Sequence, residues 1–278
     1  MFHVKHHHKS KHTITSEGEY IVSRVIAVAN QKGGVGKTTT VINLAACLAE
    51  KGKKTLVIDI DPQGNTSSGL GVDKNNIHTT VYELLIGNCE INDCIIKEIY
   101  PNLDIIPSNV NLAGAEIELI GIKDQQYLLS QKLESKKDNY DFILIDCPPS
   151  LNMLTVNAMA AADTVLVPIQ CEYYALEGLS QLMHTIDLVR ERMNPKLTME
   201  GVVFTMYDGR TNLSLQVVEN VKDNLKQNIY KTIIPRNVRL AEAPSHGVPI
   251  TVYDPKSAGA EGYRNLADEV IAHGKELS

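Results

Sequence analysis

A glycine-rich stretch at residues 32–38, KGGVGKT, restricts the fold of this chain more than any other segment. It lies between an apolar run at residues 24–30, which predicts a buried strand, and residues 39–49, which predict a helix. A glycine-rich turn from strand to helix points backbone N–H groups and a helix N-terminus at one place, and this geometry binds phosphate. The predicted phosphate-binding residues are Lys32, Gly33, Gly34, Val35, Gly36, Lys37, Thr38 and Thr39.

The loop contains two lysines, although one is sufficient to bind phosphate. Lys37 can reach the terminal phosphates, and the hydroxyl of Thr38 can ligate Mg²⁺. The usual form of this loop has a glycine five residues before Gly36, but here Gln31 stands at that position and Lys32 follows it. A second lysine aimed at the same phosphates adds little, so we predict that Lys32 reaches a nucleotide held by another subunit. The alternative is an ordinary solvated surface lysine.

The composition is typical of a globular protein without membrane spans. The chain has 278 residues, enough for one large α/β domain, and its hydrophobic (43%) and charged (22%) fractions are ordinary. A net charge of −6 argues against a surface that is basic throughout but allows a local basic patch. We find no apolar stretch of transmembrane length and no signal peptide. The five cysteines form no C-x-x-C pair, so we expect reduced thiols and a cytoplasmic location.

The N-terminal 23 residues differ from the rest of the chain. They are rich in histidine and lysine and contain little that could be buried, so we expect residues 1–23 to be a disordered tail. Residues 24–278 show no internal repeat, no low-complexity linker and no clear domain boundary. We therefore predict that residues 24–278 form a single domain.

Strand and helix signals alternate along this domain. After the first strand, further apolar strands are predicted at residues 54–60, 103–107, 141–146, 164–169, 201–206 and 231–234. Helical patterns lie at residues 111–121, 152–162, 175–192, 211–228 and 260–273. This alternation predicts an α/β fold with a doubly wound, mostly parallel β-sheet flanked by helices. Ligands of such a sheet bind at the carboxyl ends of its strands.

Three aspartates stand where predicted strands end. Asp59 and Asp61 close the second strand, and Asp146 closes the fourth. A carboxylate at the end of a buried strand is typical of the Mg²⁺ side of a phosphate-binding site. Asp59 and Asp61 point the same way in an extended segment, so one can serve the metal while the other orients the attacking water. The alternative is turn formation, since Asp61 precedes Pro62.

Taken together, these motifs resemble the ParA/Soj family of deviant Walker A ATPases, which partition chromosomes and plasmids, and most closely its chromosomal, Soj-like branch. The matching segments span residues 24 to about 270 in order. They are QKGGVGKTTT at 31–40, DIDPQGN at 59–65, LAGAEIE at 112–118, IDCPPS at 145–150, QCEYYALEG at 170–178 and IPRNVRLAEAPSHG at 234–247. The resemblance implies a single P-loop ATPase domain of the deviant Walker A (SIMIBI) type that binds ATP and Mg²⁺.

The resemblance also implies roles for particular residues. Lys32 corresponds to the family's signature lysine, which contacts ATP across a sandwich dimer, and Gly33 to the glycine where two subunits pack closely. Lys37 resembles the phosphate lysine, Asp61 the aspartate needed for hydrolysis and Asp146 the carboxylate near the metal. Lys32, Lys37, Asp61 and Asp146 are thus the expected catalytic residues, and Thr38, Asp59, Asp61 and Asp146 the expected metal-site residues. The expected adenine contacts are Pro235, Arg236 and Asn237, with Met206 or Tyr207.

DNA binding would have to come from a local patch, because the chain as a whole is acidic. Arg210 and Arg239 resemble the arginines through which Soj-like dimers hold nonspecific double-stranded DNA. Lys222 and Lys226 lie four residues apart and are predicted to share a helical face. No aromatic residues interleave with these cations, so phosphate contact fits better than base readout. The alternative is a solvated helix face with scattered lysines.

The resemblance predicts a cytoplasmic, nucleoid-associated ATPase. It would dimerise on ATP, coat nonspecific DNA and hydrolyse ATP when stimulated by a centromere-binding partner of the ParB/Spo0J type. Only about twenty residues precede the first strand, too few for a helix-turn-helix domain, so we do not expect sequence-specific operator binding.

Two alternatives belong to other classes. A MinD-like membrane-cycling ATPase needs a basic amphipathic C-terminal helix, but the polar face of residues 261–278 is more acidic than basic, and a core-packing helix explains its apolar stripe better. No contact with membranes is therefore expected. An electron carrier like the nitrogenase iron protein needs two cysteines per subunit for a shared cluster. Cys147 and Cys171 are available, but Cys147 directly follows Asp146.

Overall fold

The structure is a computed structural model, and it describes residues 13–14, 20–21, 23–172, 175–225 and 228–277. Its centre is an eight-stranded sheet with the strand order β10-β9-β8-β3-β7-β4-β6-β5, in which only the β5–β6 pair is antiparallel. The strands are β3 (Arg24–Val28), β4 (Thr55–Asp59), β5 (Ile96–Tyr100), β6 (Leu103–Ile106), β7 (Phe142–Asp146), β8 (Thr164–Gln170), β9 (Thr198–Tyr207) and β10 (Ile229–Pro235). A separate antiparallel pair is formed by β1 (Thr13–Ile14) and β2 (Tyr20–Ile21).

Helices connect the parallel strands. The α-helices are α1 (Lys37–Glu50), α2 (Asn65–Gly69), α3 (Val81–Leu85), α4 (Ile91–Cys94), α5 (Leu112–Glu118), α6 (Leu128–Leu133), α7 (Met153–Ala161), α8 (Ala175–Arg192), α9 (Asn212–Asn224), α10 (Val238–Glu242), α11 (Ile250–Tyr253) and α12 (Ala258–Leu277). Three short 3₁₀ helices lie at Gln125–Tyr127, Lys137–Asn139 and Ala243–His246. In the described part of the chain, no helix combines the length and the apolar character needed to cross a bilayer.

Both faces of the sheet are buried, which explains why its strands are apolar without interruption. Successive residues of β3 point to opposite faces: Val25 and Ala27 belong to one core cluster, and Ile26 and Val28 to another. The second cluster includes the apolar sides of α1 and α12, while the first includes those of α7 and α8. The predicted doubly wound α/β fold is therefore confirmed.

One predicted helix is shorter in the structure, and one strand of the sheet was not predicted. The predicted helix at residues 211–228 ends at Asn224, because the backbone of Leu225 is extended (φ −103°, ψ 122°). Lys222 lies in α9, whereas Lys226 lies outside the described residues, so their predicted shared helical face stays a prediction. Strand β5 was not predicted, because it is a half-exposed edge strand.

The C-terminal helix is packed into the core as predicted. Tyr263, Leu266, Ala267 and Val270 of α12 are all buried and belong to the cluster shared with α1. Most of the N-terminal tail for which disorder is predicted lies outside the described residues, and the single-domain organisation of residues 24–278 stays a prediction.

Candidate active site

The predicted site residues converge because three neighbouring parallel strands end at the same edge of the sheet. Strand β7 lies between β3 and β4, and Asp59 at the end of β4 is directly opposite Asp146 at the end of β7. The loop after β3 carries the glycine-rich stretch and leads into α1. This placement brings the loop and both carboxylates together at the carboxyl ends of the strands.

The glycines shape the phosphate loop. Gly34 (φ 76°) and Gly36 (φ 89°) adopt left-handed backbone conformations, and Gly36 caps the N-terminus of α1. The carbonyl of Gly36 accepts the first helical bond, from the N–H of Thr40 at 2.8 Å. A Cβ on Gly33 would meet nothing within 4 Å, so no contact within the chain requires a glycine there.

The two loop lysines lie in opposite environments. Lys37 is buried, and its Nζ donates to the carbonyl of Lys32 at 3.0 Å. Burial lowers the pKa of Lys37, although the nearby Asp146, Cys147 and Asp61 partly offset this effect. The side chain of Lys32 is 39% exposed, and its Nζ pairs with Glu172 at 2.5 Å. Lys37 is thus held inside the loop, whereas Lys32 lies at its rim.

Asp146 is buried with one oxygen free. Its Oδ2 accepts hydrogen bonds from the hydroxyls of Thr38 (2.8 Å) and Thr66 (2.6 Å), whereas its buried Oδ1 has no hydrogen-bond partner among the described residues. Burial and the neighbouring Asp59 raise the pKa of Asp146. A buried oxygen without a partner, beside a carboxylate and a hydroxyl, is what a hard cation such as Mg²⁺ requires. The residues present therefore fit a magnesium ion.

Asp59 faces α2 and not open space. Its Oδ2 accepts from the N–H (2.8 Å) and the hydroxyl (2.7 Å) of Ser67, and its Oδ1 accepts from the N–H of Asp61 at 3.2 Å. Burial raises the pKa of Asp59, although the bonds from Ser67 and Asp61 oppose the shift. In this conformation Asp59 fixes α2 next to the site, and its predicted place in the metal shell stays a prediction.

Asp61 lies at the rim of the same site and is 9% exposed. Its Oδ1 accepts from the N–H of Gln63 at 2.9 Å. Its main-chain carbonyl separately accepts from the hydroxyl of Ser108 (2.8 Å) and the N–H of Gly64 (2.8 Å). The turn after β4 is therefore held largely by the main chain of Asp61, which leaves one side-chain oxygen for another role.

A cavity of about 280 Å³ opens beside the start of α1. Of the predicted adenine contacts, its lining includes Pro235, Arg236, Asn237 and Met206 but not Tyr207, the predicted alternative to Met206. Gly36 and Thr39 of the loop also line it. Ile234, Leu240 and Tyr263 give the cavity an apolar wall. Sequence positions about 170 to 200 residues apart thus meet next to the phosphate loop.

The predicted DNA contacts are exposed but paired within the chain. Arg210 binds Asp208 through two hydrogen bonds (2.6 and 2.8 Å), and Arg239 binds Glu242 at 2.9 Å. Arg210 follows β9 and Arg239 follows β10, so both lie at the edge of the sheet that carries the phosphate loop. Lys222 is exposed in the last turn of α9.

Several polar residues of this site were not predicted from the sequence. Thr66 binds Asp146, Ser67 binds Asp59, and Glu172 binds Lys32. Thr205 donates to the carbonyl of Val35 at 2.8 Å and supports the phosphate loop from β9. A signal was present for Thr66 and Ser67, because they directly follow a segment, residues 59–65, that had been assigned to the site.

A phosphate loop at the carboxyl edge of a parallel sheet, with a buried lysine and buried strand-end carboxylates, defines a P-loop ATPase. Residues 23–199 match the family model of an AAA domain. The chain is 55% identical over 253 residues to the sporulation initiation inhibitor protein Soj of Bacillus subtilis, covering 91% of this chain and all of Soj. It is 52% identical to the chromosome partitioning protein ParA of Myxococcus xanthus, covering 90% and 88%. The chain belongs to the ParA/Soj family of partitioning ATPases.

Solved structures of other nucleotide-bound proteins share this P-loop fold. Cobyrinic acid a,c-diamide synthase of Mycobacterium smegmatis, with bound ADP and magnesium, superposes with a TM-score of 0.81 at 37% identity, covering 92% of this chain and 97% of that one. The septum site-determining protein MinD of Pyrococcus horikoshii, complexed with Mg-ADP, gives a TM-score of 0.76 at 30% identity, covering 89% and 95%.

Proposed function

We propose that this chain is a Mg²⁺-dependent ATPase that forms a homodimer on ATP, binds nonspecific double-stranded DNA and hydrolyses ATP when a ParB/Spo0J-type centromere-binding protein stimulates it. Its role would be the segregation of a chromosome or plasmid from a cytoplasmic, nucleoid-associated pool. The proposal includes a single P-loop ATPase domain at residues 24–278. Its starting point is the family membership, because Soj and ParA relatives match the chain over most of its length.

The observation that carries the proposal is the difference between the two loop lysines. Lys37 is buried and directed into its own loop, so it can serve the nucleotide of its own subunit. The side chain of Lys32 is at the rim, and the only bond described for its ammonium group is a surface ion pair with Glu172. Such a pair is worth about 0–1 kcal/mol, so it yields readily to a phosphate. Gly33, next to Lys32, leaves open space for the backbone of a second subunit.

The residues of the site divide the work of phosphoryl transfer. Lys37 and the amides of the loop hold the phosphates, while Thr38 and Asp146 would hold Mg²⁺. Mg²⁺, when bound, neutralises charge on the phosphate oxygens. Asp61 orients the attacking water from the rim, and Lys32 of the second subunit adds positive charge where negative charge develops. The cavity lined by Met206, Pro235, Arg236 and Asn237 would receive the adenine.

The test of the dimer is Lys32→Ala. We expect the variant to retain much of its ATP binding as a monomer but to lose the ATP-dependent increase in mass measured by light scattering. Lys51→Ala is the matched control, because Lys51 is also a partly exposed lysine in an ion pair, with Asp268 at 2.7 Å, but lies outside the loop. An ATP-dependent dimer of normal mass in the Lys32 variant would contradict the cross-subunit role.

A MinD-like membrane cycle is the second candidate, favoured by the structural match to MinD. The packing of α12 argues against it, because the apolar stripe that would have to enter a membrane is buried against α1. Cosedimentation with anionic lipid vesicles and a DNA-binding assay, each with and without ATP, distinguish the membrane cycle from DNA partitioning. We expect no ATP-dependent binding to vesicles and clear ATP-dependent binding to DNA.

A further inference from the structure

Two cysteines outside the nucleotide site lie unusually close together. The Sγ atoms of Cys89 and Cys94 are 2.8 Å apart. A disulfide bond is ~2.0 Å long, so the two sulfurs need to approach by less than about 1 Å to form one. The other cysteines, Cys47, Cys147 and Cys171, are each buried in the core.

The backbone between these cysteines is already closed into a turn. Residues 91–94 form the single turn of α4, in which the N–H of Glu90 donates to the carboxylate of Asp93 (3.1 Å) and the N–H of Asp93 donates to the main-chain carbonyl of Glu90 (2.9 Å). Cys89 precedes this turn and Cys94 ends it, so the turn itself brings the two side chains together. The two cysteines are thus held on one short turn with their sulfur atoms 2.8 Å apart.

We propose that Cys89 and Cys94 form a modification site, a dithiol that a peroxide of low molecular weight oxidises reversibly to an intramolecular disulfide. This inference is independent of the ATPase site. In a reducing cytoplasm such a bond is transient, and disulfides of this kind are usually redox-sensing or catalytic.

The environments of the two thiols set the order of events. Cys89 is partly exposed, whereas Cys94 is 1% exposed, so the peroxide reaches Cys89 first. Burial raises the pKa of the Cys89 thiol, and the hydrogen bond from Cys94 offsets only part of this shift. Burial, and then the same bond, raise the pKa of Cys94, which stays a thiol. Cys89 is the attacking sulfur and Cys94 the resolving one.

The chemistry balances with one peroxide. The Cys89 thiolate attacks one oxygen of hydrogen peroxide, the O–O bond breaks, and the leaving hydroxide takes a proton to become water, leaving a sulfenic acid on Cys89. The sulfur of Cys94 then attacks the sulfur of Cys89, the S–O bond breaks, and a second water leaves with the proton of Cys94. Two thiols lose two electrons and two protons, and one peroxide becomes two waters.

The test is a thiol count on the whole, folded protein. The reduced protein is treated with hydrogen peroxide, quenched, denatured and alkylated with N-ethylmaleimide before intact-mass measurement. We expect three of the five cysteines to be alkylated, a peptide map that links Cys89 to Cys94 with the loss of two hydrogens, and full reversal by dithiothreitol. Cys94→Ser should instead accumulate a sulfenic acid on Cys89 that dimedone traps.

Cys171→Ser is the control, since it removes a buried cysteine elsewhere and should leave the Cys89–Cys94 link intact. The proposal is overturned if the folded wild-type protein keeps five alkylatable cysteines at a peroxide dose that oxidises the denatured chain. It is also overturned if the linked peptides join other cysteines or two molecules. The wild-type map decides the question even if a serine variant does not fold.

Discussion

At the scale of single residues, the carboxylate oxygens of the site differ in whether they accept hydrogen bonds. Asp146 Oδ2 is fixed by Thr38 and Thr66, while the buried Oδ1 has no partner in the part of the chain that the structure describes. Leaving a buried acceptor unpaired costs about 1–3 kcal/mol, a cost that a bound cation would remove. Both oxygens of Asp59, by contrast, accept bonds from its neighbours. The two strand-end carboxylates therefore differ in role: Asp146 is prepared for a ligand, and Asp59 holds α2.

Asp61→Ala should separate chemistry from binding. The main-chain carbonyl of Asp61 holds the turn through Ser108 and Gly64, and these bonds survive the substitution. Lys37 and the loop amides still hold the nucleotide. We expect normal ATP affinity, dimerisation and DNA retention, with partner-stimulated turnover reduced at least roughly 100-fold because the attacking water is no longer oriented.

Asp73→Ala is the matched control for this experiment, because Asp73 makes the same kind of bond to a backbone N–H two residues on, that of Asn75 at 3.0 Å, outside the site. Nucleotide affinity, melting temperature, DNA retention and turnover are measured on one preparation of each variant. Near-normal turnover in the Asp61 variant, or loss of all four properties together, would show that Asp61 only shapes the turn.

At the scale of elements, periodicity predicted the parallel strands and the long helices well, because buried strands are continuous apolar runs and helices have one apolar face. Strand β5 and the C-terminal end of helix α9 could not be predicted from periodicity. Strand β5 is half-exposed and is defined by its pairing with β6, including the left-handed residue Glu98 (φ 51°). The end of α9 at Asn224 depends on the extended backbone of Leu225, for which the sequence has no proline or glycine signal.

The residues of the site also divide into those that the sequence predicts and those whose role depends on the tertiary structure. The glycine-rich loop and the strand-end aspartates could be assigned from sequence, because motif and strand position coincide. The hydroxyls of Thr66 and Ser67 could not, because their role depends on α2 folding back over the ends of β4 and β7. The partner of Lys32 was also missed: Glu172 lies 140 residues further along the chain and meets it only in three dimensions.

We expect helix α12 to contribute to the stability of the core, and substitutions of Tyr263 test this expectation. Tyr263 is 1% exposed, and its hydroxyl is 3.2 Å from that of Thr40 in α1. Tyr263→Phe removes one hydrogen bond and should cost about 1 kcal/mol of unfolding free energy. Tyr263→Ala leaves a large cavity and should cost roughly 3–5 kcal/mol. Urea unfolding measures both, and a helix that is only loosely docked would show no difference between the two variants.

At the scale of the whole molecule, one buried carboxylate ties the sheet together at the edge opposite the nucleotide site. Glu200 of β9 is fully buried and pairs with Arg24 of β3. It also accepts from Thr164 of β8 (2.7 Å) and Tyr230 of β10 (2.6 Å), and it lies 3.3 Å from Nδ1 of His273 in α12. Burial alone would raise the pKa of Glu200, but Arg24 and the hydrogen bonds outweigh it, so the pKa is lowered.

This network predicts how stability changes with pH. Because the folded-state pKa of Glu200 is below its unfolded value, its contribution is complete above the unfolded pKa and is lost as the pH falls through the folded one. Glu200→Gln should lower the unfolding free energy at pH 7 by roughly 3–5 kcal/mol, since Arg24 loses its partner. The difference from wild type should shrink as the pH falls below about 4.

Glu50→Gln provides the comparison, because Glu50 makes a surface pair with Arg264 at 2.9 Å and should change stability by at most about 1 kcal/mol. Urea unfolding between pH 7 and pH 3 measures the unfolding free energy of the wild type, the Glu200 variant and the Glu50 variant. A Glu200 variant that follows the wild-type stability at every pH would show that the buried carboxylate does not tie these elements together.

The proposed DNA interface would also be a property of the whole molecule, because the proposed dimer would present each cationic side chain twice. In the structure Arg210 is bound by Asp208 and Arg239 by Glu242, so a DNA phosphate that bound these arginines would compete with carboxylates of the chain itself. The pKa of Asp208 is lowered by its bonds from Arg210, so the competing group is charged at neutral pH. This competition gives opposite predictions for the two members of one ion pair.

Arg210→Ala should weaken DNA binding about equally for all sequences and reduce the slope of log affinity against log salt by roughly two charges per dimer. Asp208→Asn should do the reverse and strengthen binding, because Arg210 keeps its charge and loses its competitor, while ATP-dependent dimerisation is unchanged in both.

Arg190→Ala is the control, since Arg190 forms a similar exposed pair with Asp187 at 2.8 Å on α8. Binding at several salt concentrations, with ATP present, measures affinity and slope together. If Asp208→Asn and Arg210→Ala change the affinity in the same direction, Arg210 acts through its ion pair on the local loop structure and does not contact phosphate.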